Sequence, residues 1–224
     1  MSDHAEFVRV AELWLGSPLE AWTELGFVIE DSSTQAVMSV AGLGFRFVDE
    51  ISVSSESAVT GWTLASDSVG PADVDGIATR WLLVPSTSTS ATVANPGHRL
   101  RVSAIDHIVI MTGSLDRTSE GIARCLGAPR KRVRDAGGGV RQGFHRVGDI
   151  ILEVVERPDV DVSTPASVWG VVFVVEDLDE TVSWLGPDVV SSPRDAVQSG
   201  RRIASIRREV GLGLPVALMT PHIR

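Results

Sequence analysis

The order strand, short helix closed by glycine, further strands recurs along this chain, and it restricts the fold more than any single residue does. The third quarter shows it most clearly. From Ile105 to Met111 the side chains alternate, with Ile105, His107, Val109 and Met111 on one face and Asp106, Ile108 and Ile110 on the other. That pattern predicts a strand buried on both faces. Leu115, Ile122 and Leu126 then fall at helical spacing, and Gly127 stands where a helix-ending glycine belongs. Arg132 to Arg134 and Val140 to Val147 flank Ala136-Gly137-Gly138-Gly139, a hairpin turn, and Ile150 to Glu156 supplies one more strand. The unit reads β-α-β-β-β.

The fourth quarter follows the same plan. Val168 to Val175 is strand-like, Asp177-Leu178-Asp179-Glu180 forms a capping box that opens a helix through Leu185, and Gly186 closes it. Strands are expected over Arg202 to Arg207 and Leu214 to Met219, with Pro215 at a strand start or edge. The opening quarter is a shortened copy. It has a strand over Val8 to Leu15, a helix introduced by Ser17-Pro18-Leu19-Glu20 and ended by Gly26, and two strands around Gly42 within Val37 to Val48. The second quarter is the most divergent, with strands at Gly61 to Ala65 and Trp81 to Val84 around a helix at Asp73 to Ala78, then a Ser/Thr tract from Ser86 to Thr92. These readings predict an N-terminal half over 1–95, a linker over 96–104 and a C-terminal domain of two βαβββ modules over 105–224.

Composition removes several classes of function. The net charge of −9, from 20 basic and 29 acidic residues, disfavours phosphate-backbone binding, so nucleic acid is not an expected partner. No apolar run approaches the roughly 20 residues of a membrane span, and Met1 to Glu6 does not resemble a secretory signal. A cytoplasmic protein is expected. A single cysteine, Cys125, rules out an intrachain disulfide and a clustered-cysteine zinc site. With one lysine, Lys131, and no tyrosine, Schiff-base and tyrosine acid–base chemistry have almost no residues to use.

Three stretches carry a resemblance to a known superfamily. Ile105-Asp106-His107-Ile108-Val109-Ile110, followed by Ser114-Leu115-Asp116 and by Val147-Gly148-Asp149-Ile150-Ile151-Leu152-Glu153-Val154-Val155, resembles a module of the vicinal-oxygen-chelate proteins, the superfamily of glyoxalases and bleomycin-resistance proteins. Trp169 to Phe173 with Glu176 to Asp179 looks like the partner module, and Asp195 to Ala204 with Leu214 to Met219 is similar to a bacterial glyoxalase-like branch. The resemblance is strong over 105–221 and weaker over 7–95. It implies an α+β fold in which tandem βαβββ modules form curved mixed sheets, half-barrel cups with helices on the convex face. It also implies a divalent metal (zinc, iron, manganese or nickel) held by the first and last strands of each module, a small-molecule ligand and lyase or isomerase chemistry. A homodimer is compatible with it.

His107 and Glu153 match two of the four ligand positions, whereas Gly170, Ala217 and, in the opening quarter, Arg46 fall where further ligands belong and cannot bind a metal. For the pair, metal binding, a metal-free polar site and structural pairing all remain open. Glu153 is the most informative residue, because a carboxylate in an otherwise apolar strand needs a cation, a donor or a raised pKa. Substrate-binding candidates are His145 and Arg141 on one face of the preceding strand, with a third ligand, a general base and a solvent-facing edge position all open for His145, Arg201 and Arg202 as an anion clamp of which one at most points inward and the other is exposed, and Trp169. Packing is the competing reading for Trp169 and for Cys125, and a turn for Gly137 to Gly139.

Overall fold

The computed structural model describes residues 8–32, 35–48, 57–85 and 97–222. The Ser86 to Thr92 tract lies outside them. Two mixed sheets carry the fold. The N-terminal sheet contains β1 (Arg9–Leu15), β2 (Glu30–Ser32), β3 (Gln35–Val40), β4 (Leu43–Phe47), β5 (Val59–Ser66), β6 (Asp73–Val74) and β7 (Ile77–Leu83) in the spatial order β2-β3-β4-β1-β5-β7-β6, and helix α1 (Leu19–Glu24) follows β1. The C-terminal sheet contains β8 (Val102–Thr112), β9 (Arg132–Gly137), β10 (Val140–Val147), β11 (Ile150–Glu156), β12 (Ser167–Val175), β13 (Arg194–Asp195), β14 (Arg202–Ser205) and β15 (Val216–Met219) in the order β13-β14-β15-β12-β8-β11-β10-β9. Helices α2 (Leu115–Leu126) and α3 (Leu178–Leu185) follow β8 and β12. In each sheet the two first strands of the modules pair antiparallel at the centre, and each lies parallel to the last strand of its own module.

The helix ends form where their chemistry dictates. Ser114 accepts a hydrogen bond from the Arg117 amide and Gly127 closes α2 in the left-handed region, while Asp177 accepts from the Glu180 amide to open α3. At α1 the Ser17-Pro18-Leu19-Glu20 start is shifted by one residue: Pro18 holds the cap position without a side-chain bond, and Ser17 Oγ accepts from Trp22 Nε1 at 3.0 Å.

The helix expected over Asp73 to Ala78 is not present. Asp75 and Gly76 both take positive φ, Asp73 Oδ1 accepts from the Gly76 amide, and the segment is the tight hairpin β6–β7. Helix α2 packs beside that hairpin, and Asp75 receives Arg117 Nε at 2.6 Å together with the Thr118 hydroxyl. Residues 97–102, within the expected linker, are also packed. His98 is buried, accepts from the Val28 amide at 2.9 Å and contacts the Ser39 carbonyl through its other ring nitrogen, and β8 already begins at Val102.

The helix-bearing faces of the two sheets share one hydrophobic core. Phe173 of β12 meets Phe27 and Phe45 from the N-terminal half at ring-centroid distances of 5.9 Å, and Trp22 of α1 packs on Phe45. Burying side chains of this size contributes roughly 1.5–3 kcal/mol each. The other face of each sheet is turned away from that core, and the C-terminal one holds the site.

Candidate functional site

A β-bulge builds the site. Across the β8–β12 pair, His107 stands opposite Val172 but Ile105 stands opposite Phe173, so Asp106 is an extra residue with no partner of its own. Strict alternation would set Asp106 and His107 on opposite faces. The bulge instead returns Ile105 to the core side with Ile108 and Ile110, and brings the Asp106 carboxylate beside the His107 ring. In the parallel neighbour β11, Ile151 pairs His107, so Glu153 lies two residues further along the same face.

The resulting polar chain runs Arg201, Asp106, His107, Glu153. Arg201 Nη1 donates to Asp106 Oδ1 at 2.5 Å, Asp106 Oδ2 lies 2.7 Å from His107 Nδ1, and His107 Nε2 lies 3.3 Å from Glu153 Oε2. The Arg201 side chain is only 2% exposed, and its Nε donates to the Thr220 carbonyl at 2.9 Å. His222 Nε2 covers its Nη1 at 3.3 Å, and its Nη2 is buried with no partner among the described residues. Burial alone would raise the Asp106 pKa, but hydrogen bonds from His107 and Arg201 outweigh it and hold the group at about 2. An ionised carboxylate only accepts, so Nδ1 carries a hydrogen and the tautomer is fixed.

Glu153 is shifted the other way. Burial raises its pKa, against the opposing charges of His107 and Arg134 and, more weakly, Arg132. Because the second nitrogen of His107 faces this carboxylate, a pair with no proton between them would oppose two lone pairs. A hydrogen on either atom would let the two groups hydrogen-bond across the 3.3 Å that separates them. Next to them β9 and β10 contribute a cationic and aromatic border, with the Arg132 guanidinium 4.5 Å from the centroid of the Phe144 ring and Phe144 paired with Glu153. Further along β8, Met111 and Trp169 line a cavity of about 260 Å³ with Ser167 and the segment around Val160.

No protein-family model matches the sequence, and neither does any curated protein. Solved structures do match. A mutant of 4-hydroxymandelate synthase from Streptomyces coelicolor superposes over 96% of this chain and 93% of its own, at 14% identity and a TM-score of 0.64. The chain has the vicinal-oxygen-chelate fold. Methylmalonyl-CoA epimerase from Mycobacterium tuberculosis aligns over 56% of this chain and 92% of its own, at 19% identity and a TM-score of 0.46. The S. coelicolor epimerase, in complex with 2-nitronate-propionyl-CoA, aligns over 53% and 94% at 24% identity and 0.43.

Within the vicinal-oxygen-chelate fold, not every expected residue reaches the helix-free face. His145 pairs with Leu152 and turns under α2, where Nδ1 donates to the Ala128 carbonyl at 2.8 Å and Nε2 accepts from Ser119 Oγ at 3.0 Å. Burial, outweighing the Ala128 contact, lowers its pKa, so it is a neutral structural histidine. Arg141 is on the same wrong face, bonded to Glu156 and Asp116. Arg202 points outward to Asp179 of α3 at 2.8 Å, leaving Arg201 as the inward member of the expected clamp. Trp169 is the extra residue of a second bulge, between Val168 and Gly170, and is half-buried at the cavity. Cys125 packs half-buried against the core. Asp106, Arg132, Arg134 and His222 were not among the sequence-predicted residues. The alternation of Arg132 and Arg134 in β9 was the available signal for two of them.

The donor set does not fit a resident metal. His107 Nε2 and Glu153 Oε2 are adjacent, but Gly170 and Ala217, where the resemblance leads one to expect further ligands, carry no donor side chain, and the described residues contain no group of three or more His, Cys, Asp or Glu side chains able to hold an ion. Two protein donors retain a divalent ion weakly. Protein purified without added metal is expected to carry less than about a tenth of an equivalent of zinc, iron, manganese or nickel by elemental analysis. Stoichiometric metal that survives dialysis would contradict this reading.

Proposed function

We propose that the chain binds a small, oxygen-rich, anionic metabolite on the helix-free face of its C-terminal sheet and moves a proton at the carbon beside a carbonyl. This is isomerase, epimerase or lyase chemistry. The observation that carries it is the placement of His107 between an ionised Asp106 and a carboxylate, Glu153, whose pKa burial has raised. Asp106 orients the ring; Glu153 Oε2 or His107 Nε2 takes the proton from carbon. The C–H electron pair moves onto the carbonyl oxygen as an enolate, in the positive field of Arg132 and Arg134. Return of the proton to the other face of the carbon gives the epimer; where that carbon bears a hydroxyl, protonation of the former carbonyl carbon with loss of the hydroxyl proton gives the isomer, and expulsion of a β-substituent with its bonding pair gives the lyase product.

The test is deuterium exchange. Incubated in D2O with a panel of 2-oxo acids and malonyl-type thioesters, the protein is expected to wash deuterium into the acidic carbon of at least one of them, followed by NMR. Absence of enzyme-dependent exchange across the panel, with binding retained, would favour a second reading, a non-catalytic binder that sequesters its ligand. Gly170 and Ala217, which leave two of the four ligand positions without donors, are the observation in favour of that reading.

A further inference from the structure

The helix-free face of the N-terminal sheet repeats the geometry of the candidate site with different chemistry. β1 carries a bulge at Ala11, one residue before Glu12, as β8 carries one at Asp106, one residue before His107. Glu12 pairs Gly44, and Arg46 lies two residues further along β4; His107 pairs Ile151, and Glu153 lies two further along β11. Glu12 therefore occupies the place of His107, and Arg46 the place of Glu153. On the other side, Gly61 pairs Ala78 two residues before Arg80, as Gly170 lies beside Pro215 two residues before Ala217. Arg80 thus takes the place of Ala217.

The floor between these positions is aromatic. Trp14 pairs both Arg46 and Gly61, and a Cβ on Gly61 would stand 2.5 Å from the indole, so the ring lies over bare glycine backbone. Trp14 Nε1 donates to Thr63 Oγ1 at 3.0 Å, and that hydroxyl donates to Glu12 Oε2 at 2.8 Å. Arg46 Nε and Nη2 donate to the same carboxylate at 3.1 and 2.7 Å. Glu12 is thereby satisfied by three donors and neutralised. The exposed Arg80 guanidinium lies 4.8 Å from the centroid of the Trp14 ring, and no ion pair holds it among the described residues. Stacking on a ring engages the flat face of a guanidinium and leaves its in-plane N–H groups to donate. Among the described residues of β1, β4 and β7, this face sets Arg46 and Arg80 against the satisfied carboxylate of Glu12, while Glu30 of β2 and Asp73 of β6 lie further out in register on the same face and the Asp73 carboxylate accepts from the Gly76 amide.

We infer that this face is a second binding site, for a small carboxylate or phosphate, with Arg80 and the uncommitted N–H groups of Arg46 as its donors and Trp14 as its floor. It is independent of the chemistry proposed for the C-terminal sheet. The test uses the full chain, with tryptophan fluorescence followed at fixed ionic strength during titration with benzoate, with inorganic phosphate and with chloride as the control. A saturable response to benzoate, to phosphate or to both is expected, and the preference identifies the anion. In Arg80→Gln, an exposed position where folding is not at stake, the response weakens by about tenfold, while in Glu153→Gln it is unchanged. A response no different from chloride, one equally strong in Arg80→Gln, or one lost only in Glu153→Gln would overturn the assignment.

Discussion

Replacing Glu153 by glutamine is expected to lower deuterium exchange by about 10²- to 10⁴-fold while leaving the fold as stable as the parent, or more stable, once pH has risen through the raised pKa of Glu153. The two effects have one cause. The Glu153 side chain is 15% exposed, and its pKa is raised because burial penalises the ionised form more than His107, Arg134 and Arg132 reward it. A carboxyl group whose folded pKa lies above its unfolded value binds its proton more tightly in the folded state. The favourable contribution is therefore complete below the ordinary value of 4.5 and disappears as pH rises through the raised one. Above that point the parent protein carries a partly dehydrated anion that glutamine, of the same shape, does not. Urea midpoints of parent and variant measured between about pH 5 and pH 8 are thus expected to diverge in the variant's favour as pH rises. A variant that still exchanges deuterium, or that loses stability increasingly toward alkaline pH, would remove Glu153 from the chemistry.

The parts of the fold legible in the sequence are those whose signals are local. Helices α2 and α3 each carry a capping side chain and a closing glycine, Ser114 with Gly127 and Asp177 with Gly186, and both formed where those residues stand. The segment from Asp73 to Ala78 failed because its spacing suits one helical turn and a two-residue hairpin equally, and the positive φ of Asp75 and Gly76 decides for the hairpin. His107 and Glu153 come together because β8 and β11 run parallel and both side chains face away from the helices. Asp106 was not legible, since the period-2 rule sends it to the opposite face and a bulge depends on the register of the partner strand. His145 and Arg141 were assigned to the wrong face for a related reason: alternation groups residues without saying which group the helix covers. Gly143, which alternates with them, held the clue. A Cβ there would stand 2.7 Å from Leu115 of α2, so this is the face on which the helix rests.

Asp106→Asn is expected to cost about 3–5 kcal/mol of stability, the largest loss from any single substitution in the site. The asparagine keeps the shape and can still accept, but it leaves the Arg201 cation, 2% exposed, with no counter-charge. The His107 ring loses the anion that fixes its tautomer, so exchange falls as well. Acid behaviour separates this from a simple packing defect. Hydrogen bonds from His107 and Arg201, overcoming burial, lower the Asp106 pKa from 3.8 to about 2, so its contribution is fully present above the ordinary value and is lost as pH falls through about 2. That shift corresponds to about 2 kcal/mol. The stability of the parent is expected to decline across that acid window, and the asparagine variant, having no such group, to show a flatter profile there. Coupling supplies the second readout. If the cost comes from an orphaned cation, the double variant Asp106→Leu with Arg201→Met is expected to be more stable than Asp106→Leu alone, because the charge has been removed together with its partner. Additive losses in that cycle would mean that the two side chains stabilise the strands separately, and that Arg201 does not hold Asp106 for His107.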